Sequence, residues 1–175
     1  MDRLTFYKSF YETELKNKED LNNSINNPII IISLIFGVIS YVFEKTNIEN
    51  LNSTNITIVV LLIIVSILLC KSIYHIIMSY NNGIKGYAYN ILGTNSEFEI
   101  YRNELIEYSK LEPSKINPKK EYEESIITRL IECTDKNNEL NIKRSGQVYL
   151  TKKYLVISLI LIFITFLIQA LNQIL

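Results

Sequence analysis

Residues that usually carry chemistry are scarce in this 175-residue chain. There is one histidine, His75, and there are two cysteines, Cys70 in an apolar run and Cys133 in a polar segment. Two thiols so far apart make no disulfide framework, and reduced cysteines fit a cytoplasmic domain. His75 stands one helical turn beyond Lys71 with neither cysteine nor acid at metal-ligand spacing, so no metal site is expected. The five glycines, Gly37, Gly83, Gly86, Gly93 and Gly146, are scattered, which excludes a glycine-rich phosphate loop. No serine or cysteine has a base beside it in a nucleophile pattern. Carboxylate pairs such as Glu97 with Glu99 and Glu123 with Glu124 lie in charged helical stretches, where a solvated face accounts for them. The chain is therefore expected to be no enzyme and to use no cofactor. Net charge is missing too. With 18 basic and 18 acidic residues, the whole-chain balance favours neither a nucleic-acid coat nor an acidic partner.

Apolar residues make up 48 % of the chain, and they are bunched as a bilayer requires. The first run, Pro28 to Phe43, has sixteen residues, about 24 Å of helix against a hydrocarbon core of about 30 Å. The second extends from Ile56 to Met78 and meets no charge until Lys71. The third, Tyr154 to Leu175, is twenty-two residues without a charged side chain. A soluble domain of this size could not bury three such helices, so the fold class is an all-α membrane protein with three transmembrane helices. The isoleucine and asparagine content reads as the coding bias of an AT-rich bacterial genome. The first 27 residues hold five acids and four bases over an amphipathic pattern, which is no secretory signal.

Lysine and arginine placement sets the expected orientation. The connector 44–55 holds one base, whereas residues 79–153 hold twelve. By the positive-inside rule the N terminus and residues 79–153 are cytoplasmic in a bacterial inner membrane, and the C terminus is outside. The expected organisation is an amphipathic helix at 1–27, two spans at 28–78 around the short outer loop 44–55, a cytoplasmic helical region at 79–153 and the last span at 154–175. The cytoplasmic bundle would be built from extended spans, the N-terminal helix and a helical insertion.

Periodicity fills in this region. Leu4, Tyr7, Tyr11, Leu15, Leu21 and Ile25 recur at helical steps, and Asn26-Asn27-Pro28 predicts a bend where the first span begins. Past the second span, Ile73, Ile77, Tyr80, Ile84, Tyr87 and Ile91 continue the stripe, so the helix is expected to project beyond the membrane. Residues 87–92 also pass for a strand. Ser96 with Glu99 has the form of a capping box, and 112–120, with Pro113 and Pro118, reads as a loop. From Lys119 onward there is no proline, and Tyr122, Ile126, Leu130, Cys133, Asn137, Leu140 and Arg144 keep helical steps. One long helix, or two joined near Gly146, follows. Asparagine and arginine on that stripe either fix the register of a buried seam or belong to a solvated face.

Two clusters are candidate sites. Lys143, Arg144, Lys152 and Lys153, with Asn141 and Tyr149, can grip the phosphates of a nucleotide signal or attract anionic lipid headgroups. Ser33, Gly37 and Ser40 are spaced four and three residues apart on the first span, as in a close helix contact or a narrow pore stripe. Three helices cannot enclose a wide aqueous path, so a pore would need several copies of the chain.

The order of parts carries a resemblance. A tyrosine-rich N-terminal helix (FYKSFYETELKNKEDLNNSINNPIIII), two close spans, a polar helical insertion and the run NNELNIKRSGQVYLTKKY at 137–154 leading into a last span resemble small membrane effectors of bacterial anti-phage systems of the CBASS type. Within these the arrangement is most similar to the channel-forming effector of the Hailong system. The resemblance implies a homotetramer controlled by the product of a partner nucleotidyltransferase, there a short DNA oligomer, with Asn141, Arg144 and Tyr149 as the points carried over. A non-conducting membrane-anchored scaffold and an accessory subunit are the other readings.

Overall fold

The computed structural model describes residues 2–47, 52–81, 83, 86–111 and 116–174, and the described residues form five helices. These are α1 (Arg3–Asn23), α2 (Asn26–Lys45), α3 (Ser53–Asn81), α4 (Asn95–Leu111) and α5 (Pro118–Ile174). Three helical stretches are long and apolar enough to cross a membrane: Arg3–Lys45, Ser53–Tyr80 and Pro118–Ile174. The chain divides into two compact units, residues 1–19 with 87–142 and residues 20–86 with 143–175.

The second unit holds the three apolar runs. Its core is Ile32, Ile35 and Val42 of α2, Ile58, Leu62, Val65 and Leu69 of α3, and Leu155 and Ile162 of α5. Buried positions alternate by three and four residues on each helix: 28, 32, 35 and 42 with half-buried 39 on α2, and 58, 62, 65, 69 and 72 on α3. On α5 they are 144, 148, 151, 155, 158, 162, 165 and 169. That period of 3.5 is the seam of left-handed helix packing, narrower than the apolar stripe of a water-soluble bundle. The remaining faces expose large apolar side chains, among them Leu34, Phe43, Ile63, Ile67, Phe163 and Leu171. In lipid such a unit is held by dispersion contacts and hydrogen bonds, because apolar surface gains nothing by leaving hydrocarbon.

The first unit has a small core of Tyr11, Leu130 and Cys133, with Leu4, Tyr7, Leu15, Leu92 and Ile126 packed against it. Burial pushes the Cys133 thiol above its ordinary range; the Arg129 charge opposes this shift and Glu132 adds to it. None of the α4 side chains is buried.

Several boundaries differ from the sequence-based expectation. The second span does not project onward as helix. It ends at Asn81, and Gly83 (φ 81°) and Gly86 (φ 72°) occupy the left-handed region that a continuing helix cannot use. Residues 87–94 are then irregular, and they pair with side chains in place of a neighbouring strand. The capping box starting α4 is formed by Thr94 and Glu97, two residues earlier than expected. The Thr94 N–H donates to Glu97 Oε2 at 2.9 Å and the Glu97 N–H to Thr94 Oγ1 at 3.3 Å. Glu99 instead pairs with Arg102. α5 begins inside the expected loop because Pro118 suits a first helical position and Asn117 Oδ1 accepts the Lys120 N–H; Pro113 lies outside the described residues. The bend expected before Pro28 is a two-residue turn at Ser24 and Ile25, with Ile25 still in the α region. α5 passes through Gly146 without a break.

Candidate functional site

Most of the buried polar side chains gather at three places. In the second unit, Arg144 is only 2 % exposed. Its Nε donates to the Ser79 carbonyl at 2.8 Å and its NH2 group to Asn22 Oδ1 at 2.6 Å, while Ser79 Oγ donates to the Arg144 carbonyl at 3.3 Å. Ser79 lies in the last turn of α3 and Asn22 in the last turn of α1, so the guanidinium faces two helix ends whose final carbonyls have no partner within the helix. One arginine thus ties α5 to two neighbours.

A matching tie stands near the far end of α5. Gln169 donates through Nε2 to the Lys45 carbonyl at the end of α2 and accepts from Thr46 Oγ1, and Asn172 donates to Asn55 Oδ1 near the start of α3. Arg144 and Gln169 are 25 residues apart, or about 37 Å at about 1.5 Å per residue, just over the thickness of a hydrocarbon core of about 30 Å. Between them the buried polar groups of α5 are the hydroxyls of Thr151, Ser158 and Thr165. Ser158 and Thr165 donate back to Tyr154 and Leu161 of their own helix. The separation of the two polar clamps is thus comparable to the thickness of a bilayer.

The third cluster belongs to the first unit. Asn137, fully buried, accepts the Asn90 N–H at 2.9 Å through Oδ1 and donates to the Asn90 carbonyl at 3.0 Å through Nδ2. Its amide copies the pairing a neighbouring strand would give. Asn141, one turn on, accepts from the Tyr89 hydroxyl at 2.6 Å and donates to the carbonyl and carboxylate of Glu14 on α1, both at 2.8 Å. The Leu92 N–H reaches Tyr11 Oη at 3.4 Å, and Lys18 Nζ lies over the Tyr89 ring. The segment 87–92 is thus held to α1 and α5 mainly by directed polar contacts.

The sequence-predicted basic cluster separates accordingly. Asn141 and Arg144 are buried, and Lys143, Tyr149, Lys152 and Lys153 are exposed. At about 100° per residue, Lys143 and Lys152 flank the buried stripe on opposite sides, and Tyr149 and Lys153 point away from it. Within the second unit the four exposed residues do not share one face of α5. Asn137 and Arg144 belong to a buried seam, which decides between the two readings of that stripe. Ser33, Gly37 and Ser40 all lie on the outward face of α2. The two hydroxyls donate back to the Ile29 and Phe36 carbonyls, and a Cβ on Gly37 would meet nothing within 4 Å. His75, half-buried, has Nδ1 2.7 Å from Gln147 Oε1 and stacks on Tyr154 with ring centres 5.5 Å apart.

Tyr89, Asn90, Asn22 and Gln147 were not singled out from the sequence. The available signal was Asn137 on the apolar stripe, which as a buried residue demands polar partners without naming them. Comparison with known proteins finds no matching family model, no curated relative and no solved structure of similar fold.

Proposed function

We propose that the chain is an oligomeric bacterial membrane effector, a pore or ion channel formed between copies and controlled by a nucleotide or oligonucleotide signal in anti-phage defence. The observation that carries this reading is the outward stripe of Ser33, Gly37 and Ser40. Among the described residues the three-helix core is filled by apolar side chains and inward hydroxyls, so a pore is read as forming between copies. The small and hydroxylated positions of α2 instead face outward, where another copy can approach closely or a narrow pore can be lined. The basic residues beside the spans orient the N terminus and residues 79–153 toward the cytoplasm, where a nucleotide signal would be met.

Control needs an element with two arrangements that the signal binds unequally. Segment 87–92 supports such a role. It is held by amide and hydroxyl contacts, which can be exchanged for water or ligand groups without exposing a large apolar core. Lys143, Lys152, Lys153 and Tyr149 are the exposed residues of the cluster, where an anionic signal or lipid headgroups would meet it. A nucleotidyltransferase partner and a tetramer rest on the resemblance alone.

A non-conducting scaffold is the second reading, and α4 favours it. Its Ile100, Tyr108 and Leu111 side chains are exposed, as a surface for another protein would be. Purified protein in planar bilayers separates the two readings. Unitary currents that respond to cyclic or linear oligonucleotides, and that Gly37→Ile alters, are expected of a channel. Silent bilayers under every such signal would leave the scaffold.

A further inference from the structure

α2 and α3 leave a groove of about 620 Å³ along their exposed side in the second unit. Val59, Ile63, Ile67 and Cys70 of α3 lie along it, and Lys71 and Tyr74 close one end. Lys71 is the sole charged residue of α3, and it is exposed. Its Nζ lies 5.6 Å from the centre of the Tyr154 ring, a contact that steadies a cation without neutralising it. From Lys71 to Val59 the helix covers twelve residues, or about 18 Å, close to the depth of one leaflet of a hydrocarbon core of about 30 Å.

We propose that this groove binds an anionic phospholipid, with one acyl chain along α3 and the phosphate at Lys71. The proposal rests on the reading that the three apolar helices span a bilayer. Charge decides the occupant. A helix from a second copy laid in the groove would cover Lys71, yet the apolar runs 28–43, 56–70 and 154–175 contain no acidic residue to meet it. Burial of an uncompensated ammonium is strongly disfavoured. An anionic phospholipid brings apolar tail and negative headgroup at the separation the groove presents, and the oxygen acceptors of its phosphate suit a point-charge donor.

Native mass spectrometry of the full chain, released from mild detergent containing phosphatidylglycerol or phosphatidylcholine with the same acyl chains, tests this. Wild-type protein should retain phosphatidylglycerol about fivefold better, the factor that corresponds to about 1 kcal/mol for one base at a membrane surface. Lys71→Arg should keep the preference, Lys71→Gln should abolish it, and Ile67→Trp, which fills the groove, should lower retention of both lipids. Equal retention of the two lipids by wild type would overturn the proposal, as would a preference that Lys71→Gln leaves intact. So would oxidation of a Cys133→Ser protein to a Cys70–Cys70 dimer in bilayers with no lipid retained, since a second copy would then occupy the groove. Those failures leave the three-span reading standing. Protein that stays dispersed in buffer without detergent would remove that reading first.

Discussion

Asn137 shows how much one buried amide can hold in place. Both of its polar atoms pair with the backbone of one residue, Asn90, so replacing it removes the partner of that N–H and of that carbonyl. Each lost hydrogen bond is worth about 0.5 to 1.5 kcal/mol. Asn137→Ala is therefore expected to release segment 87–92, read as a large rise in its amide hydrogen exchange, and Asn137→Asp should release it too, because a buried carboxylate sets an acceptor against the Asn90 carbonyl. Unchanged exchange in both variants would show that apolar packing holds the segment. Arg144 makes the corresponding case in the other unit. Arg144→Met removes charge-assisted hydrogen bonds worth about 1.5 to 3 kcal/mol each, so the melting temperature in detergent should fall by several degrees. Lys153→Gln, at an exposed neighbour in the predicted basic cluster, should leave it nearly unchanged. Equal effects would mean that Arg144 is no more of a clamp than a surface lysine.

At the scale of elements, two glycines make opposite demands. Gly83 holds φ at 81° where α3 gives way to irregular chain, and an alanine there adopts a left-handed conformation that costs about 1 to 2 kcal/mol. Gly146 lies within α5, exposed, with open space around a would-be Cβ. Gly146→Ala should stabilise by about 0.5 to 1 kcal/mol, because alanine loses less backbone entropy in a helix. Thermal melts of the two variants in one detergent should shift in opposite directions; a destabilising Gly146→Ala would reveal a close neighbour at that position. The pattern of helix ends follows the same local chemistry. Proline and glycine marked where breaks could occur, but which hydroxyl capped α4 depended on the backbone reaching Glu97 from Thr94.

At the scale of the molecule, solvent is the governing quantity. The second unit exposes large apolar side chains on the outer faces of α2, α3 and α5, while its polar groups close the core at Arg144 and at Gln169. Water would drive such faces together, whereas hydrocarbon leaves them where they are. The full chain is expected to remain in the bilayer fraction after high-salt and alkaline washing of membranes and to aggregate when detergent is removed. Release by salt alone would mark a protein bound at the surface by its lysines and would remove the basis for three spans.

The run lengths and their lack of charge determined the three long apolar helices, because hydropathy and helical rise act locally and need no partner to be read. Helical spacing likewise marked a stripe on α5 with Asn137 and Arg144 on it, and left open whether that stripe was a buried seam or a solvated face. Tertiary structure alone decided what those polar residues touch. Arg144 reads as a phosphate ligand when counted with Lys143, Lys152 and Lys153, and it becomes a clamp only because α1 and α3 both end beside it. Residues 87–92 read as helix or strand by pattern and are neither, since two left-handed glycines release them and Asn137 supplies the hydrogen bonds that a regular element would have made for itself. Periodicity shows which face of a helix is inward, but a hydrogen bond needs two groups within about 3 Å, and that distance exists only once distant parts of the chain have packed.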